Sequence, residues 1–188
     1  MIKVIDDALP QLLADKLFEI THSSDFPWFL TRDVYKVTTE DSNTVNTIQM
    51  GHTVFDSDSN DPVHNPNLWL VCLEALGFII KTTPNPLMVK FNLLLNNSNM
   101  SEEKYNTPHV DNALKNSLSI IYYVNDADGD TIIFNEKTTP FTIKQRITPK
   151  KNRAVIFDSA YYHTSSNPIK DEHRVVMNTT ALNSGDVT

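Results

Sequence analysis

Residues 117–136 read SLSIIYYVNDADGDTIIFNE, two short apolar runs separated by an Asp/Gly-rich segment. Runs of this length, rich in Ile and Tyr, are typical of β-strands. The Asp128-Gly129 step predicts a tight hairpin turn between the two runs. Similar short apolar runs occur on both sides, in MVKFNLLL (88–95), RAVIFD (153–158) and HRVVMNTTAL (173–182). The second half of the chain is therefore predicted to consist of short strands.

The order of the predicted elements indicates a mostly β fold with helices at its N-terminal end. Consecutive short strands joined by turns are typical of an antiparallel barrel or a two-sheet jelly roll, and not of a βαβ repeat. Before the strands, apolar residues recur at helical spacing from Leu9 to about His22 and from Asn67 to Lys81. We predict one structural domain, with a helical and irregular support region at 1–86 packed on a β core at 87–188.

The charge distribution disfavours a nucleic-acid partner. The chain of 188 residues has a net charge of −7, and residues 1–75 hold 4 basic against 12 acidic side chains. A protein that grips phosphates normally presents a basic face. The basic residues found between Lys144 and Arg153 are more simply explained as a solvated hairpin.

The N-terminal segment and the cysteine usage indicate a soluble, cytoplasmic protein. MIKVIDDALPQLL carries two acids by position 7 and has no continuous apolar run, so it resembles neither a signal peptide nor a membrane span. The single cysteine, Cys72, lies in the apolar stretch LWLVCLEALGFII, where a buried thiol is expected. No membrane partner is predicted.

Two histidines and one aspartate form the constellation that carries chemistry. His109-Val110-Asp111 follows a polar loop, and His163 comes shortly after the strand RAVIFD. The H-x-D motif alone is weak, but with a second histidine it matches the facial triad that holds iron(II) and leaves adjacent positions open. Those open positions suit a bidentate 2-oxo acid and dioxygen, which a closed four-ligand zinc site would not accept.

Arg174 lies eleven residues after His163, at the start of a predicted strand. A guanidinium can grip a carboxylate through two parallel hydrogen bonds. Alternation along the strand points Val176, Asn178 and Thr180 to the same side as Arg174, and His173 to the other side. If that side is the interior, the arginine needs an anionic ligand.

From about Met88 to Leu182 the sequence resembles the iron(II)/2-oxoglutarate-dependent dioxygenases of the prolyl 4-hydroxylase type. Tyr105 to Asp111, followed by Asn112, resembles the metal-binding loop of the prolyl hydroxylases that modify hypoxia-inducible factor. The segment 121–125, IYYVN, resembles their next strand. The glycine that the family has before the distal histidine strand is missing, and Asn152 could supply the left-handed residue in its place.

The resemblance implies a double-stranded β-helix (jelly-roll, cupin-like) core. It implies that His109, Asp111 and His163 are the catalytic metal ligands, and that Arg174 and Tyr123 bind the cosubstrate carboxylate. It further implies iron(II), 2-oxoglutarate and dioxygen as reactants, with ascorbate as reductant. The expected substrate is peptidyl or a small molecule, proline being the first candidate, and it would enter beneath a mobile lid at residues 96–108.

Two other classes of function remain open at this point. A non-catalytic cupin-like module could hold a metal with the same residues, and a metal-dependent hydrolase could use the metal to activate water. Neither class has an evident need for a cation eleven residues past the distal ligand. Arg174 is therefore the residue that discriminates among the three.

Overall fold

The computed structural model describes residues 1–31, 42–45, 47–112, 114–137 and 140–183, and these contain two helices and ten strands. The helices are α1 (Gln11–Thr21) and α2 (Pro66–Ile80). The strands are β1 (Ile2–Ile5), β2 (Phe29–Thr31), β3 (Gln49–Asp56), β4 (Pro86–Leu95), β5 (Ser117–Tyr123), β6 (Thr131–Phe134), β7 (Ile143–Ile147), β8 (Arg153–Asp158), β9 (His163–Ser165) and β10 (His173–Leu182).

The strands form two antiparallel sheets, as the jelly-roll prediction requires. The large sheet has the order β1-β8-β5-β10-β4-β3-β2, and the small sheet has the order β7-β6-β9. The chain passes from β5 to β6 and from β7 to β8 by changing sheets, and β9 lies in the small sheet between β8 and β10 of the large one. This repeated exchange between two facing sheets is the jelly-roll architecture, and the predicted fold class is confirmed.

Alternation along β10 separates a helix-facing core from a cleft. Val175 and Met177 are buried in the apolar core that α1 and α2 share with the large sheet. Arg174, Val176 and Asn178 line the cleft between the two sheets. The side-chain directions predicted for these positions are confirmed, because neighbouring residues of a strand point to opposite faces.

Both helices form where the apolar periodicity predicts them. Helix α1 begins after Pro10, and α2 begins after Asn65, whose side chain accepts a hydrogen bond from the backbone N–H of Leu68 at 3.2 Å. Cys72 is fully buried, as predicted. Neither helix of the described residues has the length and apolar character needed to cross a bilayer.

The N-terminal region contributes more strand than the sequence predicts. β1 pairs with β8 at one edge of the large sheet, whereas β3 pairs with β4 and carries β2 at the other edge. Strands of three or four residues, or with a mixed sequence such as QMGHTVFD, give no clear alternation. We retain the division at residue 86 as a proposal, with the support region extending the core sheet at both edges.

The segment 124–130 is not the predicted hairpin turn, because β5 and β6 belong to different sheets. It crosses between the sheets and docks on residues 166–171. The Asp128 carboxylate accepts backbone N–H groups of Ile169, Lys170 and Asp171 at 2.9 to 3.2 Å. A Cβ on Gly129 would lie 2.5 Å from the carbonyl oxygen of Ser166, so only glycine fits this close approach.

Asn152 is left-handed, as predicted, with φ 66°. Its side chain also joins the first strand region to β8. The amide oxygen accepts the backbone N–H of Leu9 and the amide nitrogen donates to the Leu9 carbonyl, both at 2.9 Å. Asn152 therefore replaces a turn glycine and stabilises the start of α1 at the same time.

We expect Asn152→Gly to lower the free energy of unfolding by about 1–3 kcal/mol, because two buried hydrogen bonds are lost. Asn152→Ala should cost roughly 1 kcal/mol more, since alanine is disfavoured at positive φ. Urea denaturation measures both. Asn116→Gly is the matched control, because Asn116 also has positive φ (60°) but is exposed. Equal stability of the wild type and Asn152→Gly would show that the amide bonds contribute nothing.

Candidate metal and cosubstrate site

A pair of backbone hydrogen bonds brings the three predicted ligand residues together. His109 lies in the loop before β5, and His163 is the first residue of β9. The N–H of each donates to the carbonyl oxygen of the other at 2.9 Å. This isolated antiparallel bridge holds the imidazole rings with their centroids 4.5 Å apart. Asp111, two residues after His109, reaches the same point.

The donor atoms of His109, Asp111 and His163 all lie within 4.8 Å of one another. Asp111 Oδ1 is 3.7 Å from His109 Nε2, and Asp111 Oδ2 is 3.4 Å from His163 Nε2. Donors bound at right angles to one ion at about 2.1 Å are roughly 3 Å apart. The spacing therefore fits one shared ion after small side-chain movements.

Both imidazoles are oriented by backbone carbonyls. His109 Nδ1 contacts the carbonyl oxygen of Thr107 at 3.2 Å, and His163 Nδ1 contacts that of Tyr161 at 3.0 Å. A carbonyl only accepts, so each Nδ1 carries a hydrogen, and Nε2 is the ring nitrogen that can bind a metal. Asp111 Oδ2 accepts a hydrogen bond from Ser119 Oγ at 2.6 Å, which fixes the carboxylate.

The electrostatics favour the metal-binding forms of His109 and Asp111, a neutral imidazole and a carboxylate, whereas His163 is favoured in its protonated form. Burial and the neighbouring His163 lower the pKa of His109. For Asp111, burial opposes ionisation, but the charge of His163 and hydrogen bonds from both histidines outweigh it and hold the pKa of the carboxyl well below its usual range. At His163, burial lowers the pKa, but the charge of Asp111 and a hydrogen bond to it outweigh burial, so the pKa of His163 is raised. A bound cation would thus displace a proton shared between Asp111 and His163.

Arg174 reaches into the same cleft without a counter-ion. Its side chain is buried, and Nη2 donates to Thr131 Oγ1 at 2.8 Å. Nε has no hydrogen-bond partner, and no carboxylate of the described residues lies within 4 Å of the guanidinium. Burial lowers its pKa. A buried guanidinium in this state calls for an anionic ligand.

Tyr123 lies behind this arginine and outside the open cleft. The ring is fully buried, with the Arg174 guanidinium carbon 5.6 Å from its centroid. Its hydroxyl donates to Thr131 Oγ1 at 2.7 Å. The predicted cosubstrate residue therefore meets the cleft through Thr131.

Thr131 is a site residue that the sequence analysis missed. Its hydroxyl oxygen accepts from both Arg174 and Tyr123, which occupies both lone pairs and leaves its own hydrogen for a ligand. Thr131 also lines the cleft. No local sequence pattern marked it, because its role depends on the side chains of Arg174 and Tyr123, which contact it in the fold.

Most of the residues that line the cleft are polar. Apart from Thr47, they come from β3, β4, β5, β6, β9 and β10 and from the loop before β5. The lining residues beyond those already described are Thr47, Gln49, Lys90, Asn92, Leu94, Asn106, Thr107, Ile121, Thr164 and Ser165.

The remaining candidate groups lie elsewhere. His173 contacts His22 of α1, with 2.9 Å between their Nε2 atoms, on the outer side of the large sheet. This confirms that His173 points away from Arg174. Neither Tyr161 nor Tyr162, which flank His163 in sequence, is among the cleft-lining residues.

The basic residues between 144 and 153 do not form a free cationic face or a hairpin, since β7 and β8 lie in different sheets. Most of them pair with acids. Arg153 contacts Asp6 at 2.6 Å, Lys151 contacts Asp15 at 2.6 Å, Lys150 contacts Asp6 at 3.7 Å and Arg146 contacts Asp130 at 3.4 Å. This pairing removes the charge that a nucleic-acid backbone would need.

Comparison with known families supports the same chemistry. The family model described as the 2OG-Fe(II) oxygenase superfamily matches residues 95–180, which include all three clustered residues and Arg174.

Residues 95–180 are thus similar to the 2OG-Fe(II) oxygenase superfamily.

Solved structures of several oxygenases share the fold of this chain. A prolyl-4-hydroxylase of Pseudomonas putida is 13% identical, with 98% of this chain and 93% of that chain covered and a TM-score of 0.56. A prolyl hydroxylase of Trichoplax adhaerens, in complex with a hypoxia-inducible-factor peptide, is 12% identical, with 97% and 83% covered and a TM-score of 0.58. No curated protein sequence matches the chain.

A third similar structure carries a different reaction. The α-ketoglutarate-dependent epimerase SnoN from nogalamycin biosynthesis is 8% identical, with 97% of this chain and 78% of that chain covered and a TM-score of 0.61. Identities this low show the fold alone. The match of residues 95–180 to a superfamily described as 2OG-Fe(II) oxygenases supports oxidoreductase chemistry.

We expect His109→Ala, Asp111→Ala and His163→Ala each to lose iron(II) during anaerobic desalting, because two remaining protein ligands hold the ion poorly. Ser119→Ala should weaken iron binding about ten-fold, since it removes only a hydrogen bond to a ligand. Elemental analysis of the desalted proteins measures both effects. His173→Ala, a histidine outside the cleft, is the control and should keep full occupancy. Full occupancy in all three ligand variants would contradict the assignment.

Proposed function

We propose that the protein is an iron(II)- and 2-oxoglutarate-dependent dioxygenase that hydroxylates a C–H bond. The observation that carries this proposal is Arg174, a buried guanidinium without a carboxylate partner in the described residues, in the same cleft as the two histidines and Asp111. A cation held in this way next to a potential metal site fits a dicarboxylate that binds the metal with one end and the arginine with the other.

Six residues of the site have roles in this proposal. His109, Asp111 and His163 would hold iron(II). Iron(II) bound there supplies dioxygen activation coupled to oxidation of 2-oxoglutarate. Arg174 and the Thr131 hydroxyl bind the distal carboxylate, and Tyr123 orients Thr131 from behind. Ascorbate is the reductant that we propose to keep the iron in its ferrous state.

The two rival classes explain less of the cleft. A metal-storing or sensing cupin-like module needs the ligand cluster but leaves the guanidinium without a partner. A metal-dependent hydrolase needs a metal-bound water and an acid or base beside it. The groups nearest to Arg174 are instead the hydroxyls of Thr131 and Tyr123, which neither donate protons readily nor accept them at neutral pH.

For the substrate we propose a peptidyl or free amino-acid side chain, with proline as the first candidate. The two prolyl hydroxylases of similar fold support this choice, and one of them was solved with a peptide. The epimerase of similar fold is the reason to test small molecules as well. A substrate entering beside residues 96–108 would meet Asn106 and Thr107, which line the cleft. A cytoplasmic location is part of the same proposal.

We expect Arg174→Ala to keep iron(II) but to lower 2-oxoglutarate affinity roughly 10- to 100-fold, the equivalent of one or two charge-assisted hydrogen bonds. Arg174→Lys should also be impaired, because an ammonium cannot reproduce the planar fork. Thr131→Val, which removes one hydroxyl, should lower affinity about ten-fold. The visible charge-transfer band of iron(II) with a chelated 2-oxo acid gives each affinity. Unchanged affinity in all three would show that the distal carboxylate binds elsewhere.

Incubation with iron(II), ascorbate, 2-oxoglutarate and pooled proline-containing peptides should add one oxygen atom to a proline, as read by mass spectrometry. The Asp111→Ala protein serves as the matched control and should add none, since its metal site lacks the carboxylate. If only free nucleosides or nucleic acids stimulate succinate release, the peptide assignment is wrong while the oxygenase assignment stands.

A further inference from the structure

A second cation, Lys90, faces the same cleft as Arg174 from a different place. It lies on β4, where Lys90, Asn92 and Leu94 alternate towards the cleft and Val89 and Phe91 are buried in the helix-side core. In the register of the large sheet, Lys90 stands opposite Asn178 of β10. The cosubstrate-binding role proposed for Arg174 does not involve Lys90, which is left without a function.

The sheet register separates Lys90 from Arg174. Asn178, the partner of Lys90 in the register, is four residues from Arg174 along β10. At about 3.4 Å per residue, the backbones of Lys90 and Arg174 are therefore separated by roughly 14 Å along the strand direction. A five-carbon dicarboxylate spans roughly 5 Å between its carboxyl carbons, from four bonds of about 1.5 Å. The backbone separation therefore exceeds the span of the cosubstrate, and the two cations enter the cleft at different levels.

The register also places Lys90 to one side of the metal site. Asp111 is tied to Ser119 of β5, which stands opposite Thr180, one inward position beyond Asn178. Lys90 is thus close to the level of Asp111, but β10 lies between β5 and β4. Two strand spacings amount to roughly 10 Å. Lys90 consequently flanks the ligand cluster on the β3 side of the cleft, where Gln49 also lies.

Lys90 has no counter-ion among the described residues, because no carboxylate there lies within 4 Å of its ammonium group. The charge of Lys90 acts on His163 across the cleft, whereas Asn92 and Asn178, which face the cleft from β4 and β10, are uncharged. Asn92 and Asn178 each have a buried amide oxygen without a hydrogen-bond partner, and the Asn178 side chain is 8% exposed. This arrangement contrasts with the surface lysines 150 and 151, which are paired with acids.

We propose that Lys90 is the specificity residue for the primary substrate, and that this substrate carries an anionic oxygen group, a carboxylate or a phosphate. Asn92 and Asn178 complete the subsite by accepting hydrogen bonds from the same molecule. An ammonium acts as a point charge and does not require a planar partner, so both anions fit it. The proposal deepens the proposed function and rests on it, and it favours a substrate with a free acid group over a proline inside a neutral peptide.

The test uses the full chain loaded with manganese(II) and N-oxalylglycine, an inert analogue of 2-oxoglutarate that occupies the Arg174 end. Inorganic phosphate and acetate are the probes, each in a separate titration. Their ³¹P and methyl ¹H relaxation is enhanced when they bind near the paramagnetic ion. We expect saturable enhancement with at least one probe, and which of the two it is distinguishes phosphate from carboxylate recognition.

Three variants decide the assignment. Lys90→Gln should weaken probe binding about ten-fold, whereas Lys90→Arg, which keeps the charge, should stay within about three-fold of the wild type. Lys16→Gln removes an exposed lysine of α1 and should bind the probes as the wild type does. No saturable enhancement in the wild type, or equal enhancement in Lys90→Gln, would overturn the proposal.

Two further readings separate this subsite from the cosubstrate site. The charge-transfer titration with iron(II) should give Lys90→Gln the 2-oxoglutarate affinity of the wild type, and a parallel loss would assign Lys90 to the cosubstrate instead. Failure of the wild type to bind manganese(II) or N-oxalylglycine would overturn the proposed function, and this proposal with it. A fluorescence melting curve of each variant confirms that it is folded.

Discussion

The reciprocal backbone hydrogen bonds between His109 and His163 are the constraint on which the site depends. They fasten the long loop before β5 to the first residue of β9, at the open end of the small sheet. Without that bridge, Asp111 and His109 would belong to an unattached loop facing a strand of only three residues. The bridge converts two distant parts of the sequence into one surface, and the carbonyls of Thr107 and Tyr161 then set the direction of each ring.

A second constraint is the uneven use of charge. The acids of the N-terminal region pair with the basic residues of the segment before β8, so that Asp6 and Asp15 neutralise three cations on the surface. Inside the cleft, Arg174 and Lys90 have no such partners among the described residues. An acidic protein therefore keeps two positive points inside its cleft. Because the cleft excludes part of the solvent, charges there act more strongly than the pairs outside.

The sequence predicts the parts of the molecule that repeat a regular pattern. The strand β10 is a continuous run of ten residues rich in Val and Thr, and the helix α2 is apolar over about four turns, so both elements can be predicted from the sequence. Strands such as β1 and β9 are too short to show a period, and their existence depends on pairing with distant partners. The hairpin turn predicted from Asp128-Gly129 was wrong because the glycine is required by the close approach of the Ser166 backbone, and not by a turn between neighbouring residues. Thr131 and Lys90 were missed for the same reason: their importance comes from what faces them across the cleft.

The carbonyl contacts of the two histidines also bear on how the protein matures. Both contacts are formed within the chain, so the orientation of the rings does not require a bound ion. Folding can therefore precede metal loading. A preformed set of two imidazoles and one carboxylate has little power to choose among divalent metals, whose affinities rise from manganese through iron to copper. The metal that occupies the site in a cell is then decided by supply, and zinc or copper would be an inhibitor by occupation. If the site holds iron(II) as proposed, the activity of the protein depends on the iron supply of its surroundings.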